Sequence, residues 1–142
     1  MMKRILAFDV GDRRIGVAVS DALGITAQPV ETYHRKGGAE KDAEYLLALA
    51  KRYAPCTLLF GLPRNMDGTY GEQAEKVKKF AQRLIDRWDG DYAFYDERLT
   101  TMAAQRVLID ADISREKRKQ VIDKMAAVVI LQGYMESHRN QL

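Results

Sequence analysis

The sequence predicts an α/β fold, a mixed five-stranded sheet with helices on both faces. Three observations lead there. Three strand-like runs follow one another near the start, which suggests an antiparallel meander. Strand and helix patterns then alternate, which suggests parallel crossovers. The chain has 142 residues, 46% of them hydrophobic, enough for one core and hence a single domain over residues 1–142.

Residues 4–10 (RILAFDV) read as a central strand and residues 14–20 (RIGVAVS) as a second. Between them GDRR fits a short turn, with Gly11 expected to supply dihedrals other residues avoid. Residues 25–33 carry Pro29 and suit an edge strand. Residues 38–53 have helical periodicity, with Leu46, Leu47, Leu49 and Ala50 facing in. TLLFG, residues 57–61, is a short buried strand, and the turn-rich loop GLPRNMDGT follows it. Residues 71–88 form a basic amphipathic helix and residues 91–97 (DYAFYDE) a further strand. A helix is expected over 100–111, capped by Thr100, and another from about 118 to 137. The charged segment 111–118 between them has little to bury and is expected to be mobile.

The stretch LAFDVG, residues 6–11, raises the functional question. A charge at the end of a core strand needs compensation, because burying an unpaired carboxylate costs several kcal/mol or forces its protonation. In an open sheet, sites form beyond the carboxyl ends of parallel strands. Asp9 lies near one such end, Asp96 and Glu97 at another, and the loop PRNMDGT leaves a third. Each acid alone reads equally as a solvated or capping group, and alternation does not choose between Asp96 and Glu97. Farther on, Asp123, Ala127, Ile130 and Tyr134 share one helical stripe, so an aspartate sits on an apolar, small-residue face. A buried salt bridge to Arg98 or Lys124 would explain it. A third carboxylate delivered to the same rim also would. Converging carboxylates repel one another unless a cation is present. Oxygen ligands without His or Cys select Mg²⁺ or Mn²⁺, and that chemistry suits phosphodiesters.

Gly11 would let main chain approach a phosphate, and Arg13, Arg14, Arg64 and Arg98 lie close in sequence to the rim. Surface arginines in a mildly basic chain give the same pattern, since 23 Lys+Arg against 20 Asp+Glu leave a net charge of +3. Lys76, Lys79 and Arg83 share a stripe that reads as a solvated face. The one cysteine, Cys56, opens an apolar run and reads as a buried, inert thiol. No apolar stretch reaches the ~18 residues of a membrane span. The N-terminus carries no secretory pattern, so a cytoplasmic protein is expected.

FDVGDRRIGVAVSD, GLPRNMDGT, YDERLTT and DKMAAVVILQGY, in that order, resemble the motifs of the YqgF/RuvX family across nearly the whole chain. The resemblance implies an RNase H-like fold. It also implies a metal-dependent endonuclease, either a Holliday junction resolvase or a nuclease maturing the 5′ end of pre-16S rRNA. The family's acidic positions correspond to Asp9, Glu97 and Asp123, which prefers Glu97 over Asp96. The implied cofactor is Mg²⁺ or Mn²⁺. The implied partner is structured RNA or branched DNA, bound by a monomer or a homodimer. Two alternatives stand beside this reading. One is a nucleic-acid or transcription-machinery binding module with little or no catalysis. The other is an ATP-binding protein of the actin and sugar-kinase type, which normally needs two such domains. Binding to nucleic acid is expected to weaken with salt, with a log–log slope of about −3 to −5 if roughly four to six phosphates are neutralised. A flat salt response in a titration would remove the basic residues as a binding surface.

Overall fold

A computed structural model describes residues 3–65, 67–96 and 115–139. The elements run β1 (Arg4–Val10), β2 (Arg14–Ser20), β3 (Ala27–His34), α1 (Ala39–Tyr53), β4 (Cys56–Leu62), α2 (Glu72–Ile85), β5 (Tyr92–Asp96) and α3 (Arg115–Arg139). The helix expected over 100–111 and residues 111–114 of the charged segment lie outside the described residues. The last helix begins at Arg115 rather than near 118, so the basic run REKR belongs to its first turns.

The sheet has the order β3-β2-β1-β4-β5. β1 and β2 pair antiparallel, as do β2 and β3, whereas β1, β4 and β5 run parallel. Pro29 sits in β3, at the sheet edge, where its missing N–H breaks no inner ladder. The parallel strands therefore deliver Asp9, the loop after Leu62 and Asp96 to one rim.

Alternation along β1 sorts its side chains between two cores. Leu6, Phe8 and Val10 pack with Leu46, Leu49, Val77, Phe80 and Leu84 on the face covered by α1 and α2. Ala7 packs with Ala18, Leu59, Ala127, Ile130 and Leu131 on the face covered by α3. The small residues Ala7 and Ala18 let α3 lie close. Gly133 does the same at β5, since a Cβ there would come 2.5 Å from the Tyr95 hydroxyl. Cys56 is buried, and that burial pushes its thiol up to about 11, as befits an inert side chain.

One charged residue sits inside the first core. Asp42 is 1% exposed on the inner face of α1. Its carboxylate accepts hydrogen bonds from Arg35 Nε at 2.8 Å and from the Tyr33 hydroxyl at 2.9 Å. Burial, and then the bond to Asp42, raise the pKa of that hydroxyl above its usual value. Arg35 Nη1 also donates to the Gly11 carbonyl at 2.8 Å, and the guanidinium lies 4.8 Å over the Phe80 ring. Three segments thus meet on one guanidinium. Arg35→Ala strands the Asp42 carboxylate, so it is expected to destabilise the fold by about 3 kcal/mol, measured by denaturant unfolding. Unfolding at the wild-type midpoint would show that Asp42 finds another partner.

Candidate active site at the carboxyl-end rim

Asp9 is the next-to-last residue of β1 and is partly buried. It alternates with Phe8 and Val10, so its side chain points to the face of Ala7, the face α3 covers. Its antiparallel partner in β2 is Gly16. In β4, Gly61 follows Phe60, the parallel partner of Phe8, as Asp9 follows Phe8. Asp9 is thus flanked on its own face by two glycines, both buried. Those two neighbouring positions present main chain only, a feature expected where a ligand or another backbone comes close. Neither glycine stands out in an apolar run, but a glycine interrupting each of two central strands, RIGVAVS and TLLFGL, is the signal that marks them.

The turn after Asp9 is tightly held. The Gly11 N–H donates to the Arg14 carbonyl at 2.9 Å, and a Cβ on Gly11 would lie 2.7 Å from that oxygen. The expected reason for Gly11 was an unusual dihedral. Among the described glycines, however, positive φ belongs to Gly24, Gly38 and Gly68, and Gly11 is required by close approach instead. Arg13 is exposed at the tip of the turn, and its carbonyl accepts from the Arg35 N–H at 2.9 Å. Arg14 opens β2 opposite His34.

The loop after β4 carries its own bracing. Gly68, at φ 91°, closes a turn in which its N–H reaches the Asn65 carbonyl at 2.9 Å. Arg64 Nε donates to the Gly68 carbonyl at 2.6 Å, and Arg64 Nη1 donates to Asp96 at 2.9 Å. The Tyr70 hydroxyl donates to the other Asp96 oxygen at 2.7 Å, and this bond raises the hydroxyl's pKa. Arg64 therefore holds the loop to the end of β5. Asp96 follows the alternation of Tyr92 and Phe94, away from Ala93 and Tyr95, which pack on the α3 side. The two described rim acids, Asp9 and Asp96, consequently face opposite sides of the sheet.

Asp123 lies in α3, one turn before Ala127, which is fully buried against Ala7 and Leu59. Glu97 and Arg98 lie outside the described residues. Among the described residues no three His, Cys, Asp or Glu side chains converge. No helix there is long and apolar enough to cross a membrane.

The profile of the RuvX family, described as Holliday junction resolvase, matches residues 3–137. The chain belongs to the RuvX family. A Clostridium novyi protein described as "Putative pre-16S rRNA nuclease" is 52% identical to it, covering 94% of this chain and 98% of that one. A Halalkalibacterium halodurans protein of the same description is 51% identical, over 98% and 99% of the two chains. Among solved structures, Thermus thermophilus RuvC superposes with a TM-score of 0.54 at 13% identity, with 96% of each chain covered. RuvC of T. thermophilus bound to a Holliday junction substrate gives 0.52 at 14% identity, covering 94% of this chain and 96% of that one. At such identities the likeness is one of fold, and the RuvX chain shares the RNase H-like α/β architecture. Gly11→Ala in this RuvX chain forces the hairpin apart at the Arg14 carbonyl. It is expected to cost about 1–3 kcal/mol of stability, read as a lowered unfolding midpoint. An unchanged midpoint would mean the turn can yield.

Proposed function

We propose that the chain is a metal-dependent endonuclease that hydrolyses phosphodiester bonds in nucleic acid at the carboxyl-end rim. Residues 1–142 would act as one domain. The observation that carries this reading is Asp9 on the α3 face, flanked by Gly16 and Gly61, at the end of a central strand. Two further acids belong with it in this proposal. Asp123 is on the helix that covers the same face, one turn from buried Ala127. Asp96 itself points to the opposite side, and Glu97, its neighbour in sequence and the family's acidic position, completes the proposed set. Asp9, Glu97 and Asp123 would hold Mg²⁺ or Mn²⁺ through oxygen ligands, the donor type these ions prefer. Such ions, in a pair, supply an activated water and stabilise the leaving oxygen.

The chain's own groups position the substrate. Hydrolysis forms one P–O bond to water and breaks one P–O bond to a sugar oxygen. Arg13 and Arg14 on the hairpin, with Arg98, would neutralise flanking phosphates. Arg64 would act mainly by bracing the 63–71 loop, because its guanidinium already serves Gly68 and Asp96. Main chain at Gly11 would lie beside the strand end without a side chain in the way. Relatives named for pre-16S rRNA make that precursor the first substrate to test, and a RuvC structure with a Holliday junction makes branched DNA the second.

Asp9→Asn keeps the size of the side chain and removes its charge. Cleavage of either substrate in Mg²⁺ or Mn²⁺ is expected to fall about 10³-fold or more, while binding persists. Glu97→Gln and Asp123→Asn should do the same, and the losses should not add, because the three disable one unit. Asp96→Asn should retain most cleavage. Wild-type cleavage by Asp9→Asn would refute the site. Binding by a wild-type chain that cleaves neither substrate would favour a binding module.

A further inference from the structure

We propose that a basic cleft between α1 and α2, on the sheet face opposite to Asp9, is a second binding surface for nucleic-acid backbone. The inference rests on the nucleic-acid reading above and extends it to a separate surface. The cleft has a volume of about 520 Å³ and lies directly under the β1–β2 hairpin, with Val10 and Asp12 in its wall. Phe80 lines it, stacked under Arg35. Lys36, Lys76, Lys79 and Arg83 also line it, from the end of β3 and from α2. The stripe that reads in sequence as a solvated face is thus one wall of a concave site.

The charges are unequally matched. Arg35 is engaged by Asp42, Lys76 lies 3.6 Å from Asp12, and Arg83 lies 3.2 Å from Glu40. Lys36 and Lys79 are exposed, and among the described residues neither has a carboxylate partner. Two ammonium groups in one concave surface attract a polyanion and release its counterions when they bind. The position is informative as well. Val10 faces the cleft and Asp9 faces the other side, and they are consecutive residues of β1. A strand crossing the hairpin rim can keep one phosphate near Asp9 while its continuation lies in the cleft. The partner is a phosphodiester strand rather than an isolated phosphate, because the cations line an extended wall and converge on no single point.

The test uses the full chain carrying Asp9→Asn, which removes cleavage. A labelled RNA hairpin with a single-stranded flank is titrated at several salt concentrations. Adding Lys36→Ala and Lys79→Ala together is expected to reduce the magnitude of the log–log slope by about 1.4–1.8, two phosphates' worth, and the affinity at 0.1 M salt about ten-fold or more. Lys36→Arg with Lys79→Arg should restore both. A control removes the same charge at the far end of α1 with Lys51→Ala and Arg52→Ala. An unchanged slope in the cleft variant, while Asp9→Asn itself binds, would overturn the cleft and leave the nuclease reading intact. An equal loss in the control would overturn it too, because bulk charge would then explain the effect. Failure of Asp9→Asn to bind any nucleic acid at low salt would remove the nucleic-acid reading and the cleft with it.

Discussion

Arg35 and Asp42 form the contact on which the rim depends. A carboxylate 1% exposed needs a cation and hydrogen-bond donors beside it, and Arg35 and Tyr33 supply one bond to each oxygen. The same guanidinium donates to the Gly11 carbonyl, and the backbone N–H of Arg35 donates to the Arg13 carbonyl. The hairpin after Asp9 is therefore clamped from the α1 side by groups that are themselves fixed in the core. A surface ion pair in the same place would give little rigidity, since side-chain entropy and screening cancel most of its gain. Removal from water makes this one directional and leaves the hairpin few alternatives.

With the hairpin held, the period of two along β1 sorts its side chains between the two faces. Phe8 and Val10 complete the α1–α2 core, while Asp9 between them turns to α3. A one-residue slip against β2 would exchange those sets, driving a carboxylate into the phenylalanine core. The bulge in the β2–β3 pairing, between Val17 and Ala18, lies in the outer pair and leaves the β1–β2 register intact through Asp9 and Gly16. Register on the other side is set by Phe8 opposite Phe60, whose rings pack 5.5 Å apart. Aromatic packing on one face thereby fixes where the acid on the other face must sit.

The antiparallel meander, the parallel crossovers and the sharing of one rim were legible because they follow from local pattern and from chain order. The inward set of α1, Leu46, Leu47, Leu49 and Ala50, follows from periodicity alone. Asp42 was legible by the same rule and went unread, although Leu46, Leu49 and Ala50 stand four, seven and eight residues after it on one stripe. Arg35 was not legible. Its partners on α1, α2 and the hairpin are brought together only by tertiary packing, and nothing near it in sequence marks it. Arg64 reads in sequence as a phosphate clamp or a solvated surface arginine, and its engagement by Gly68, Tyr70 and Asp96 depends on tertiary packing that the sequence does not show. Which way Asp96 faces was not legible either, because the facing of β5 is set by the packing of Phe94 against Phe60.

Glycine at a close main-chain approach is harder to replace than an apolar side chain of the core. RuvC at 13% identity keeps the architecture, so most side chains are replaceable within it. What cannot change freely is main-chain proximity. A side chain at Gly11 would meet a carbonyl oxygen, and one at Gly133 would meet the Tyr95 ring. Hydrophobic core positions accept other apolar residues of similar volume, usually at less than about 1.5 kcal/mol. A backbone contact has no such substitute, because every side chain larger than hydrogen must move two segments of chain apart. The acid on the end of β1 is held in place by atoms that are absent as much as by those that are present. Gly16 and Gly61 stand beside Asp9 in the sheet, Gly11 lets the turn beyond it close, and the guanidinium of Arg35 holds that turn from the opposite face.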